Sequence, residues 1–307
     1  MKNATLALAL LLGGVGQIEA GFTLLDAPSA TNGTYATGIS GSNIVGYFST
    51  GNALHGFLYN GTSYTTLDGP LGATGTVANG ISGSNIVGYY RNASGLHGFL
   101  YNGTSYTSLD DPLGATGTVA TGISGSNIVG YSSNVSGIHG FLYNGTSYTP
   151  LNDPSGPNDT HANGISGSNI VGYYSNVSGT HGFLYNGTSY TALNDPSATG
   201  ITLAFGISGS NIVGYYRGGA GTQGFLYNGT SYTTLTDPFA SGGEVVPLGI
   251  EGDNIVGNLN DGKGTHGFLY TSDAIATPEP ATITMLGVGI TCLAGYGWRR
   301  RKKPVPS

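Results

Sequence analysis

Five histidines, His55, His97, His139, His181 and His266, fill one place in a recurring phrase, and Gln223 fills it once. Imidazoles in that number could form a metal site or a proton relay. Equivalent places in successive repeats lie too far apart to share one ion at about 2.0–2.1 Å. Gln also replaces His as a hydrogen-bond partner far better than as a ligand. The expected role is therefore structural, each ring bonding a hydroxyl or carbonyl of its own unit. His161 differs, standing outside this register and unique to its unit.

The acids recur as well. Asp26, Asp68 and Asp110 follow Leu, while Asp111, Asp153, Asp195 and Asp237 precede Pro. Calcium ligation or a carboxylate pair for sugar cleavage would use such groups. Asp-x-Asp-x-Asp is missing, and cleavage needs one unique pair, so turn-starting Asp is the expected role. Catalysis requires an asymmetric constellation. Its candidates are the unit-specific residues Arg91, His161, Arg217, Glu244, Glu251, Asp253, Asp261 and Lys263. Glu251, Asp253 and Asp261, with Lys263, gather in the degenerate last unit and form a weak candidate site. The sequence contains no Gly-x-Ser-x-Gly elbow, His-Glu-x-x-His or phosphate loop. The expectation is a protein that is not an enzyme, with no cofactor and no metal.

The elements that carry these residues follow from the repeat. Copies of GISGSNIVGYY begin at Gly38, Gly80, Gly122, Gly164, Gly206 and, degenerately, Gly249, four steps of 42 residues and one of 43. Such periods build propellers, solenoids or arrays. NIVGYY is a β-branched and aromatic strand. GFLYNGTSYTTL reads as a hairpin turning at Asn60-Gly61, with Phe57, Tyr59 and Tyr64 on one face. A further strand fits 76–79, giving four per unit. Residues 22–26, FTLLD, match the last strand of a unit, and the sixth unit stops at GFLY without it. That split predicts an all-β, six-bladed β-propeller of 42-residue repeats, closed by its N-terminal strand so that no sheet edge stays open.

Charge narrows the partners. Residues 21–277 hold thirteen acids against Arg91, Arg217 and Lys263, a formal balance of minus ten, which excludes a nucleic-acid face. The sole cysteine, Cys292, permits no disulfide within the chain. Residues 1–20 have the layout of a signal peptide: Lys2, an apolar run over 4–12 and small Ala20. Signal peptidase would then act before Gly21. Residues 281–298 are uncharged and long enough for a transmembrane helix, and Arg299, Arg300, Arg301, Lys302 and Lys303 would hold its end in the cytoplasm.

Pro278-Glu279-Pro280, the apolar span and the basic cluster together resemble the PEP-CTERM sorting signal of Gram-negative bacteria. That resemblance implies an exosortase-type sorting protease, removal of the tail, and a host that makes extracellular polysaccharide. The interior resembles HAF-type extracellular repeats through His55-Gly56-Phe57-Leu58-Tyr59 and the segment from Gly38-Ile39 to Gly46-Tyr47. It implies secretion and supplies no catalytic residues.

The expected layout is a signal peptide over 1–20, a repeat domain over 21–273, a linker with the sorting motif over 274–280, a membrane helix over 281–298 and a basic tail over 299–307. The expected role is a non-catalytic binding or structural protein of the exopolysaccharide matrix, anchored at the inner membrane and then delivered to the cell surface. The competing expectations are a glycan hydrolase or lyase near Glu251, Asp253 and Asp261, and an ice- or surface-binding repeat protein.

Overall fold

Every repeat alternates polar turns with β-branched and aromatic runs, and every such run becomes a strand. The computed structural model describes residues 21–70, 73–236 and 244–271. Gly21–Thr271 is one compact unit. Its first strand, β1 (Gly21–Leu25), precedes a quartet of β2 (Thr34–Ser40), β3 (Asn43–Thr50), β4 (Ala53–Tyr59) and β5 (Tyr64–Leu67). The quartet pairs antiparallel in that order.

The same quartet recurs. It comprises β6 (Gly75–Ser82), β7 (Asn85–Asn92), β8 (Gly95–Tyr101) and β9 (Tyr106–Leu109), then β10 (Gly117–Ser124), β11 (Asn127–Asn134), β12 (Gly137–Tyr143) and β13 (Tyr148–Leu151). Next come β14 (Thr160–Ser166), β15 (Asn169–Asn176), β16 (Gly179–Tyr185) and β17 (Tyr190–Leu193), then β18 (Ile201–Ser208), β19 (Asn211–Gly218), β20 (Gly221–Tyr227) and β21 (Tyr232–Leu235). The last set has β22 (Glu244–Glu251), β23 (Asn254–Asn260) and β24 (Thr265–Thr271), and β1 supplies its fourth strand. Phe22 lies opposite Tyr270 and Leu25 opposite Gly267, the neighbours expected of the N-terminal strand. The described residues are an all-β, propeller-like array of repeated four-stranded sheets.

Contacts at the centre run from each quartet to the next. A Cβ on Gly38 would meet Gly80 Cα at 3.1 Å, one on Gly80 would meet Gly122, and the series continues through Gly164, Gly206 and Gly249 back to Gly38. Only glycine lets backbones approach this closely. Farther out, the apolar layers lie between sheets: Val256 of β23 packs with Ile44, Phe48 and Phe57 of the first quartet. Phe57, Phe99, Phe141, Phe183, Phe225 and Phe268 are fully buried. Each such side chain contributes roughly 1.5–3 kcal/mol of transfer free energy.

One local expectation is corrected. Asn60-Gly61 is not a two-residue turn, because Tyr59 pairs with Tyr64 and Phe57 with Thr66, leaving Asn60 to Ser63 as the loop. Asn60 Oδ1 accepts the N–H groups of Thr62 and Ser63 at 3.0 and 2.9 Å, and that capture fixes the wider loop. The shift is even, so the aromatic face survives. Tyr64 lies 5.3 Å from Phe57 and 4.7 Å from Tyr59 between ring centroids. The strand expected over 76–79 is longer and runs on through Gly80-Ile81-Ser82 past a bulge between Ala78 and Gly80.

Candidate functional site: the aromatic mouth of the central channel

The bulge repeats in every innermost strand and turns one residue toward the axis. Thr37, Asn79, Thr121, Asn163, Phe205 and Leu248 hold that place and line the channel. Four of them tie sheet to sheet. Thr37 Oγ1 donates to Ala78 O at 2.7 Å, Asn79 Nδ2 to Ala120 O at 2.8 Å, Thr121 Oγ1 to Ala162 O at 2.7 Å and Asn163 Nδ2 to Ala204 O at 2.8 Å. Phe205 and Leu248 make the remaining arc apolar.

One level nearer the mouth, Tyr47, Tyr89, Tyr131 and Tyr173 line a cavity of about 250 Å³ with Val77 and Val119. Burial, first of all, raises the phenol pKa values of all four above the ordinary 10.0, so each hydroxyl stays neutral and able to donate. The wall is uneven. His161 packs between Tyr131 and Tyr173, each at 4.4 Å between centroids, and Phe205 stacks on Tyr215 at 5.6 Å. Tyr173 joins the two groups, 6.3 Å from Phe205. His161 is 8% exposed. Its Nε2 lies 3.0 Å from Asp159 Oδ1, while its Nδ1 has no partner among the described residues.

The repeated histidines lie elsewhere, as struts. His55 Nδ1 donates to Asp68 Oδ1 at 2.8 Å, and its Nε2 meets Thr50 Oγ1 at 2.9 Å. His97 joins Asp110 and Ser94, at 3.0 and 2.8 Å. His139 and His181 use Asn152 and Asn194, and His266 reaches Asp26 at 2.9 Å. Gln223 instead accepts from Tyr216 Oη at 2.6 Å. Hydroxyl, imidazole and carboxylate are linked here in the order of a hydrolytic triad. Their repetition, with Asn for Asp in two quartets, ties a hairpin to an outer strand and selects no one place for chemistry.

The two sets of Asp therefore have different roles. Asp26, Asp68 and Asp110 hold histidines and are not turn starters, which corrects the sequence expectation. Asp111, Asp153 and Asp195 do start turns, each Oδ1 accepting the N–H two residues on at 2.8–3.0 Å. Asp237 lies outside the described residues.

Glu251, Asp253 and Asp261 are not brought together. Glu251 Oε2 accepts Gly41 N–H, where Ser40, Ser82, Ser124, Ser166 and Ser208 each accept from the next hairpin. It therefore stands in for a structural serine. Asp253 is exposed in the same turn. Asp261 lies past the other end of β23, whose seven residues span about 23 Å. Hydrogen bonds from Lys263 N–H and then Gly264 N–H hold its carboxyl below the ordinary 3.8, and it lies 3.6 Å from His266 Nε2. Among the described residues no group of three or more His, Cys, Asp or Glu could hold a metal ion. Nor is any helix there long and apolar enough to cross a membrane. The expected span over 281–298, Pro278-Glu279-Pro280 and Arg299, Arg300, Arg301, Lys302 and Lys303 lie outside the described residues, as does the expected signal peptide.

The sorting motif points to a surface-sorted protein, and the described sheets are propeller-like. The PEP-CTERM protein-sorting motif matches residues 276–302 and implies export and processing by an exosortase-type enzyme. No curated protein matches the chain. Among solved structures, the chain is similar to YCF48 bound to D1 peptide, with 15% identity and a TM-score of 0.47 over 80% of this chain and 79% of that one. It is also similar to the β-propeller domain of the Trilobed protease from Pyrococcus furiosus, with 8% identity and a TM-score of 0.47 over 80% and 95%. TolB from Acinetobacter baumannii gives 15% identity and a TM-score of 0.46 over 78% and 63%.

Proposed function

We propose that the chain is a six-bladed propeller of a Gram-negative bacterium that serves as a non-catalytic binding protein of the exopolysaccharide matrix. Residues 281–298 hold it at the inner membrane as an intermediate. The exosortase-type protease acts at Pro278-Glu279-Pro280, and the repeat domain passes to the cell surface. Likeness of the interior to HAF-type extracellular repeats is in keeping with that route.

The observation that carries the binding role is the mouth itself, where Tyr47, Tyr89, Tyr131 and Tyr173 converge with Asn79 and Asn163. Aromatic walls with a few placed polar groups suit ligands that present both apolar faces and hydroxyls. Neutral sugars are such ligands. Arg91, Arg217 and Lys263 are the only cations of residues 21–277 and none lines this cavity, so an anionic ligand is poorly served.

The test is retention on the host's own purified exopolysaccharide, with reducing ends counted afterwards. Saturable retention with no new ends is the expected result. Accumulating ends would show a hydrolase or lyase, and no retention would remove the binding role.

A further inference from the structure

We infer that the rim groove between the fourth quartet, β14 to β17, and the fifth, β18 to β21, is a second glycan seat that takes a short segment of a neutral sugar chain. The inference rests on the binding role proposed above and adds a place on the outside of the molecule, apart from the channel.

The outermost strand of the fourth quartet, β17, and the hairpin of β20 and β21 in the fifth flank two cavities. One holds about 510 Å³ and the other about 270 Å³, and Thr191, Leu193 and Tyr227 line both. The two therefore run together as one groove, and none of these three residues lines the channel. The larger part alone falls within the roughly 300–1,000 Å³ usual for ligand pockets.

Its two parts differ in chemistry. Leu184 and Leu193 make the smaller one apolar. In the larger one Tyr232 joins Tyr227, with ring centroids 4.6 Å apart, beside the exposed residues Thr191 and Asn194. Tyr227 Oη donates to Gly229 O at 2.8 Å, which fixes that ring before any ligand arrives. Burial, first of all, raises the phenol pKa of Tyr232 above the ordinary 10.0, so its hydroxyl stays protonated and able to donate. Apolar and aromatic surface beside hydroxyl and amide groups matches the C–H faces and O–H edges of a sugar ring.

Charge defines the rest. Asp195 is the one charged residue lining the groove; it is 6% exposed, and its Oδ1 accepts Ser197 N–H at 2.8 Å. No cation is there to meet an acidic sugar, and a carboxylate so nearly covered offers little to a cationic one. An extended peptide would have to pair with β17, which has only four residues, so the side-chain surface favours sugar over strand addition. Tyr59 with Tyr64, Tyr101 with Tyr106, Tyr143 with Tyr148 and Tyr185 with Tyr190 repeat the ring pair at 4.6–4.7 Å. Seats of this kind therefore recur around the rim, and a long chain held at several is retained more firmly than a fragment.

The experiment titrates the full chain, carrying ring-labelled tyrosine, with cellotriose, laminaritriose and mannotriose. Trigalacturonate serves as the acidic probe and an extended Thr-Val hexapeptide as the peptide probe. Tyr227→Phe and Tyr232→Phe assign the two resonances. At least one neutral trisaccharide should shift both. Thr191→Arg, an exposed substitution that lays a long side chain over both parts of the groove, should keep the urea midpoint. It should weaken binding read at those resonances about tenfold. Equal affinity in the variant, unmoved Tyr227 and Tyr232, or shifts caused only by trigalacturonate or by the hexapeptide overturns the inference. If the resonances do not move while wild type is retained on the host exopolysaccharide, the rim seat fails and the binding role stands. If they move but wild type is not retained there, the seat stands and the exopolysaccharide role fails.

Discussion

His161 shows how one imidazole can differ from five others in the same chain. Four of the five struts bond through both ring nitrogens and His266 through Nδ1, whereas His161 has Asp159 on one nitrogen and nothing described on the other. Burial depresses its pKa from 6.5, so between the folded and unfolded values the unfolded chain binds more protons. Its contribution to stability is present above about pH 6.5 and is lost as pH falls through the folded value. The groups facing it are Asp159, Tyr131 and Tyr173. Thermal melts from about pH 8 down to pH 5 should show a lower midpoint in acid, and His161→Val should lessen that dependence. Tyrosines give the opposite limb. Phenols such as Tyr64 and Tyr106 are pushed up to about 12, chiefly by burial. The folded protein holds these protons longer than the unfolded chain. Stability is therefore steady below about pH 10 and falls as pH rises beyond it, measurable as a declining urea midpoint.

At the scale of the element, each strand is defined by what lies over it. Gly130 in β11 leaves room for Phe141, since a Cβ there would press on Val119 O and come within 2.7 Å of Phe141 Cζ. Gly130→Ala forces backbone and ring apart and should cost about 1–3 kcal/mol or more. Phe141→Ala leaves a cavity instead and should cost about 3–5 kcal/mol. Both are read from urea denaturation of the full chain. If Gly130→Ala has no effect, the close ring-to-backbone contact is not a feature of the folded protein.

For the whole molecule the decisive contact is between its two ends of the repeat domain. β1 covers the edge of β24, and Asp26 beyond it holds His266. Deletion of residues 21–25 leaves β24 with an open ladder, a template for other chains. The expected outcome is concentration-dependent association in light scattering, absent from the intact protein. Glu251 closes a second circuit by accepting Gly41 N–H. Glu251→Ser restores the residue of the other hairpins and should keep stability close to wild type. Glu251→Ala should lose about 0.5–1.5 kcal/mol by the same denaturation assay.

The strands, their number per unit and the N-terminal strand's place beside GFLY were legible in the sequence, because alternation, spacing and a split unit are properties of order along the chain. The sorting motif was legible for the same reason. The turn at Asn60 was not, since a side-chain oxygen capturing two N–H groups competes with the backbone geometry that Asn-Gly suggests. Asp26 and His266 are 240 residues apart, so no local pattern joins them. The sequence marked His161 as unique without saying why. Tertiary structure decided that, by bringing Tyr131, Tyr173 and Phe205 from separate segments around one channel. Contact between such distant side chains depends on how sheets pack about an axis, and that packing is set by burial summed over the whole domain.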